Sequence, residues 1–237
     1  MTDTSAAGGT GGNPESGGNA ASGGNPESGG SAASGSAGRP GGAGAPVASG
    51  TQPRSLVLLR HAKAERPTTA PDADRPLTAR GHADAAAAGA WLGHGGYLPT
   101  VVLCSPAKRT RQTWHDAALG MAAPPIRPLD GQARPAGGTD GTGQAGGVPT
   151  VRYDQRIYHG YATDLLDLVR CTDPDAPTLL LVGHNPTISE LSTLLDPVHA
   201  DPEGLRTSGI VIHRFDGGWA ELGPGAGPIV KWHTARG

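Results

Sequence analysis

Three short, unbroken apolar runs limit how this chain can fold: Ser55-Leu-Val-Leu-Leu59, Thr100-Val-Val-Leu-Cys104 and Thr178-Leu-Leu-Leu-Val182. Runs of this length without polar alternation suit strands covered on both faces, the pattern of a parallel sheet between two helical layers. Helical stretches lie between them. One runs from Leu77-Thr78 to about Leu92, with Thr78 as N-cap, Gly95-Gly96 as its end, and Gly81 and Gly89 weakening its body. A second follows Ser105-Pro106, where Ser suits an N-cap and Pro a first helical residue. A third spans Thr163 to Arg170 with Leu165, Leu166, Leu168 and Val169 on its apolar side, and a fourth begins where Thr187 to Glu190 fits a capping box. Val151 to Tyr153 reads as a short strand, and Gly209 to His213 with Trp219 to Leu222, around Gly217-Gly218, as a hairpin. The expected fold is α/β: a three-layer αβα sandwich with a mostly parallel sheet and a C-terminal antiparallel hairpin.

Composition limits where that domain lies. Among 237 residues there are 39 glycines and 22 prolines, and residues 1–53 hold almost nothing apolar larger than alanine. Such a segment cannot offset the entropy of ordering its backbone, so a disordered tail is expected there. It carries a twelve-residue repeat, Gly11 to Ser22 recurring as Gly23 to Ser34, too polar for a solenoid. Residues 54–237 form one expected domain, long enough to bury about 70% of its unfolded surface. Residues 122–149, rich in Pro, Gly, Ala and Thr, read as a low-complexity surface insertion. No basic segment leads into an apolar one and no run reaches about 18 apolar residues, so a cytoplasmic protein off the membrane is expected. A formal charge of −2 gives no reason for a nucleic-acid partner. Cys104 and Cys171 fit neither a metal spacing nor a disulfide framework, and His82, His94, His115, His159, His199, His213 and His233 show no ligand spacing. No metal or cofactor is expected, and the chain is read as a monomer.

In open α/β sheets, ligands bind outside the carboxyl ends of the strands. Here three strands end in Arg60-His61, in Ser105 through Arg109, and in Gly183-His184-Asn185. Two histidines and two arginines over helix N-termini make an anion site, and the planar donors of arginine suit phosphate oxygens. With histidine at its centre, the simplest chemistry is in-line attack by a neutral imidazole nitrogen on phosphorus. Arg60 should lower the pKa of the adjacent His61 and help keep it neutral. A thiol phosphatase would need arginine where Thr110 follows Cys104, and Asp72-Ala-Asp74 follows Pro71 in a loop rather than ending a strand. There is neither a P-loop nor a His-Glu-x-x-His pattern.

Leu58-Leu59-Arg60-His61-Ala62-Lys63, Asp74-Arg75-Pro76-Leu77-Thr78, Ser105-Pro106 with Arg109 and Gln112-Thr113, and Val182-Gly183-His184-Asn185-Pro186 resemble, in order, the motifs of the histidine phosphatase superfamily. Their spacing is most similar to SixA-type phosphohistidine phosphatases. The resemblance implies a phosphoglycerate mutase-like fold, a phosphohistidine intermediate at His61, and phosphate contacts from Arg60, Arg109 and His184, with Arg75 as an extra contact. It also implies a carboxylic acid that protonates the leaving group, for which Asp154, before Arg156-Ile157-Tyr158, leads over Glu65 and Asp74. The expected substrate is a phosphohistidine protein. The alternatives are a small phosphate monoester and, in a different class, a non-catalytic phosphate-binding module.

Overall fold

The computed structural model describes residues 52–66, 69–123 and 147–237. Most of the expected tail (1–53) and insertion (122–149) lies outside the described residues. Strands β1 (Arg54–Arg60), β2 (Val101–Cys104), β3 (Thr150–Tyr153) and β4 (Thr178–Gly183) run parallel. β5 (Gly209–Phe215) lies antiparallel to β1, and β6 (Ile229–Thr234) antiparallel to β5. The sheet order is β3-β2-β4-β1-β5-β6, which places the longest apolar runs, β1 and β4, at its centre.

Why those runs carry no polar alternation is visible in the layers. Successive strand residues point to opposite faces. Leu56 and Leu58 of β1 join Leu179 and Leu181 of β4 against Ile157, Leu165, Ile188 and Leu191. These last four come from α3 (Arg156–His159), α4 (Ala162–Arg170) and α5 (Thr187–Leu195). Val57, Leu59, Val102, Leu180 and Val182 face the other way, onto Ala88 and Leu92 of α1 (Ala79–His94) and Trp114 and Ala117 of α2 (Lys108–Ala122). Each large side chain so enclosed contributes roughly 1.5–3 kcal/mol relative to exposure.

Thr78 caps α1 as expected, its hydroxyl accepting from the Gly81 amide at 2.9 Å. The glycines that lower the helix propensity of α1 have a packing role. A Cβ on Gly89 would stand 1.9 Å from the Ala117 carbonyl oxygen, and one on Gly120 of α2 would stand 2.1 Å from that of Ala86. The two helices therefore meet backbone to backbone. Gly81 plays the same part against the Lys63 carbonyl in the loop after β1.

Three local expectations need correction. The second arm of the hairpin is Ile229–Thr234, whereas Trp219–Glu221 is a 3-10 turn. Trp219 is drawn into the core, its indole N–H donating to the Ala176 carbonyl at 2.8 Å and its ring packing on Phe215. α2 begins at Lys108 rather than at Pro106, with Ala107 at its N-cap and no side-chain capping bond. α5 has no capping box: Thr187 is its first helical residue, and the hydroxyl donates to the Gly160 carbonyl.

Candidate active site

The parallel strands end level with one another. Arg60 pairs with Gly183 across β1 and β4, and Cys104 with Val182 across β2 and β4. The ladder then runs one residue further: His61 N–H donates to Gly183 O (3.0 Å), Ser105 N–H to Val182 O (3.1 Å) and Asp154 N–H to Cys104 O (3.1 Å). Residues 61, 105, 154 and 184 thus stand side by side on the carboxyl edge of the sheet, where this architecture places its ligands.

His61 is held by its own loop. Its Nδ1 lies 2.7 Å from the Ala62 carbonyl oxygen. A carbonyl can only accept, so Nδ1 carries the proton and Nε2 keeps its lone pair. The loop is tied to α2 by Thr113, whose hydroxyl accepts from the Ala62 amide (3.0 Å) and donates to the Arg109 carbonyl (2.7 Å). From the other side Ser208, buried and left-handed at φ 56°, donates its N–H to the His61 carbonyl. Burial lowers the His61 pKa to about 4, with the charges of Arg109, Arg60 and Arg75 adding to it and the Ala62 contact opposing. The expected influence of Arg60 is present, but desolvation is the larger cause.

The His184 ring centroid lies 5.1 Å from that of His61. Its Nε2 is 2.8 Å from Ser105 Oγ, and its Nδ1 is buried with no hydrogen-bond partner among the described residues. Burial, then the nearby His61 and Arg109, pushes its pKa down to about 3. Both imidazoles are therefore neutral at ordinary pH. Arg60 donates from Nη1 to the Leu205 carbonyl (2.7 Å), while its buried Nε has no partner among the described residues. Buried polar groups without partners are uncommon in folded proteins, and two of them in one cluster suit an anion.

Arg109, 6% exposed, turns both terminal nitrogens to Asp72: Nη1 to its carbonyl (2.7 Å) and Nη2 to Oδ2 (2.9 Å). Arg75 reaches the same carboxylate through Nη1 on Oδ1 (2.7 Å), with Nε on the Glu65 carbonyl. Tyr158 donates its hydroxyl to Asp72 Oδ2 (2.7 Å), and its ring meets His184 edge-on at 5.3 Å. The Tyr158 hydroxyl, followed by Arg75 and Arg109, holds the Asp72 carboxyl well below the usual carboxylate range. Asp72 and Tyr158 are the residues that sequence reasoning missed. Asp72 was considered only as a nucleophile, and no spacing rule joins it to Tyr158, 86 positions away.

Asp154 stands at the strand edge but is occupied. Its carboxylate accepts from the Arg156 amide, Nε and Nη2 at 2.9, 3.1 and 2.8 Å, and these bonds lower its pKa. Glu65 offers Arg75 its backbone carbonyl, and Asp74 is exposed in the 3-10 turn Asp72–Asp74. Among the described residues no group of three or more His, Cys, Asp or Glu side chains is gathered as a metal site would require, and no helix is long and apolar enough to cross a membrane.

Comparison with known proteins bears on what this cluster belongs to. A family model of the histidine phosphatase superfamily (branch 1) matches residues 56–131. The uncharacterized protein Rv1276c of Mycobacterium tuberculosis is 33% identical over 188 residues, which span 75% of this chain and 100% of that protein. A candidate phosphohistidine phosphatase SixA from Nakamurella multipartitia, solved as a structure, aligns with a TM-score of 0.57 at 30% identity, covering 77% of this chain and 96% of that one. The chain belongs to the histidine phosphatase superfamily. Within that superfamily its likeness is to the SixA type, and it is a hydrolase with the phosphoglycerate mutase-like fold. A mycobacterial glucosyl-3-phosphoglycerate phosphatase shares the fold at 15% identity and a TM-score of 0.51, with 78% of this chain and 100% of that one covered.

Proposed function

We propose that this histidine phosphatase removes the phosphoryl group from a phosphohistidine side chain of a protein through a covalent intermediate on His61. The observation that carries the reading is the Nδ1 contact of His61 with the Ala62 carbonyl, which leaves Nε2 as a neutral nucleophile beside three arginines. In the first step the Nε2–phosphorus bond forms as the bond to the leaving nitrogen breaks, and the leaving imidazole, its other ring nitrogen protonated by solvent, departs neutral. Arg60, Arg109 and Arg75 balance the charge on the equatorial oxygens, and His184 supplies a further contact. Water then attacks the phosphorus of phospho-His61, releasing inorganic phosphate and restoring Nε2.

The substrate class is supported by what the acids are doing. Asp154 is ionised on Arg156, and Asp72 is ionised among Arg75, Arg109 and Tyr158. Neither is poised to protonate a departing alkoxide. An imidazole leaving group needs less help from an acid than the oxygen of an ester does.

Two measurements test the reading. Incubation with a labelled phosphodonor should give an acid-labile phosphoenzyme that disappears in His61→Ala, and undiminished labelling in that variant removes His61 as nucleophile. A phosphohistidine protein should be turned over in preference to a panel of sugar and nucleotide monoesters. Turnover of the esters alone would replace the protein substrate with a small molecule.

A further inference from the structure

We infer that Ser105 is a positioning residue that sets the tautomer of His184, so that His184 meets the transferred phosphoryl group as an Nδ1–H donor. The inference rests on the phosphatase reading above and assigns the proton that reading leaves unplaced.

Ser105 is completely buried at the end of β2. A hydroxyl donates one hydrogen bond and accepts up to two. Two groups face Ser105 Oγ: the Ala107 amide at 3.4 Å and His184 Nε2 at 2.8 Å. The amide can only donate, so on that side the hydroxyl oxygen accepts. The hydroxyl hydrogen then has Nε2 as its acceptor, which requires Nε2 to be unprotonated and places the ring proton on Nδ1. With the opposite tautomer the oxygen would accept from both Nε2–H and Ala107, and the serine hydrogen would be buried with no acceptor among the described residues, an arrangement native proteins avoid.

The far nitrogen fits the same assignment. His184 Nδ1 is buried with no partner among the described residues, and the ring it belongs to lies 5.1 Å from His61. As N–H it is a donor suited to an anionic oxygen; as a bare lone pair it would repel one. His61 and His184 then hold their protons on the same atom and present opposite faces to the substrate. The Nδ1–H of His61 is taken by Ala62, so His61 offers a lone pair. The Nε2 of His184 is taken by Ser105, so His184 offers a hydrogen. One ring is fitted to attack phosphorus and the other to bind its oxygen.

Ser105 can hold this setting because its backbone is fixed. Its N–H is in the sheet ladder with Val182, and its carbonyl accepts from the Thr110 hydroxyl at 2.9 Å.

Nitrogen NMR of the full chain, labelled at histidine and free of substrate, reads the tautomer directly. His184 should show a protonated Nδ1 and a bare Nε2. In Ser105→Ala the population should move toward Nε2–H, and kcat should fall about tenfold, short of the full loss of an oxyanion donor. The acid-labile phosphoenzyme should still form, since His61 is untouched. Ser105→Thr keeps the hydroxyl and should restore both the tautomer and the rate. Protonated Nε2 on His184 in the unaltered protein would overturn the inference by itself, whether or not the variants fold; so would an unchanged tautomer in Ser105→Ala. A failure of the phosphatase reading looks different, since no phosphoenzyme would then form in any variant while the tautomer remained measurable.

Discussion

Arg109 and Asp72 meet through both terminal nitrogens of the guanidinium, one on the backbone carbonyl and one on the carboxylate, although 37 residues separate them. The same carboxylate takes Arg75 and the Tyr158 hydroxyl. A loop aspartate therefore neutralises a cluster of arginines whose expected partner is a phosphoryl group, and links Arg75 to the site through a shared partner.

Replacing that carboxylate should show what it balances. Asp72→Asn leaves Arg75 and Arg109 without their nearby anion, which should destabilise the free protein. Charge-assisted hydrogen bonds are worth about 1.5–3 kcal/mol, and the half-exposed Asp72 side chain reduces this by solvent screening. A loss of about 1 kcal/mol, or a few degrees in Tm, is expected. Inorganic phosphate should then raise Tm by more in the variant than in the unaltered protein, because it supplies the missing charge. A smaller phosphate-induced shift in the variant would mean that Asp72 serves chiefly to aim the arginines.

The histidines set a pH profile. The folded His61 pKa of about 4 lies below its ordinary 6.5. The neutral ring that attack requires therefore persists well into acid. kcat/KM, corrected for the titration of the substrate, should stay level from pH 8 to about 5 and fall as pH approaches 4. The stability effect has the same direction. His61 and His184 are both lowered in the folded state, so the unfolded chain binds more protons below 6.5. They have no effect on stability above that pH, and stability is lost progressively as pH falls from 6.5 toward about 4 for His61 and about 3 for His184. An acid limb near 6.5 in the rate, with no acid destabilisation, would place His61 in water.

Asp154 tests the acid. Removing a true general acid costs about 10²–10⁴ in rate. Because the Asp154 carboxylate is ionised on three donors of Arg156, Asp154→Asn should change kcat on a phosphohistidine protein by less than about twofold, well below that range. A hundredfold fall, larger on esters than on phosphohistidine, would restore Asp154 as the proton donor.

What was legible in the sequence, and what was not, follows from how local each signal is. The runs Leu56–Leu59 and Leu179–Val182 could be read as central strands because both their faces are covered, and their ends carried His61 and His184 with them. β6 was not legible: Ile229–Thr234 is an exposed edge strand with Lys231 and Thr234 among its few apolar residues, whereas buried Trp219 imitated a strand. Ser105-Pro106 has the local form of a helix start, but α2 begins at Lys108, and the Ser105 hydroxyl meets His184, a contact that no local pattern signals. The cluster of Asp72, Tyr158, Arg75 and Arg109 is largely tertiary, with only the Asp72–Arg75 pair local. The motifs bring Arg75 and Arg109 to the site, but nothing in the sequence signals that Asp72 and Tyr158 join them there.

The contact between α1 and α2 bears on Arg109 from a distance. Gly120 lies near the end of α2, and a Cβ there would fall 2.1 Å from the Ala86 carbonyl oxygen, which is backbone and cannot rotate away. Alanine would gain about 1 kcal/mol of helix propensity but would push the helices apart at a buried crossing, where overpacking costs about 1–3 kcal/mol. Gly120→Ala should therefore lower stability on balance, by up to about 2 kcal/mol, measurable as an earlier urea midpoint with an unchanged slope. α2 also carries Arg109 and Thr113 in its first two turns, and Thr113 ties the His61 loop to it. A rigid helix pivoting at Gly120 would shift both. The variant should then show a higher KM along with the lower midpoint, whereas a stability loss with KM unchanged would mean that α2 bends locally and leaves the site undisturbed.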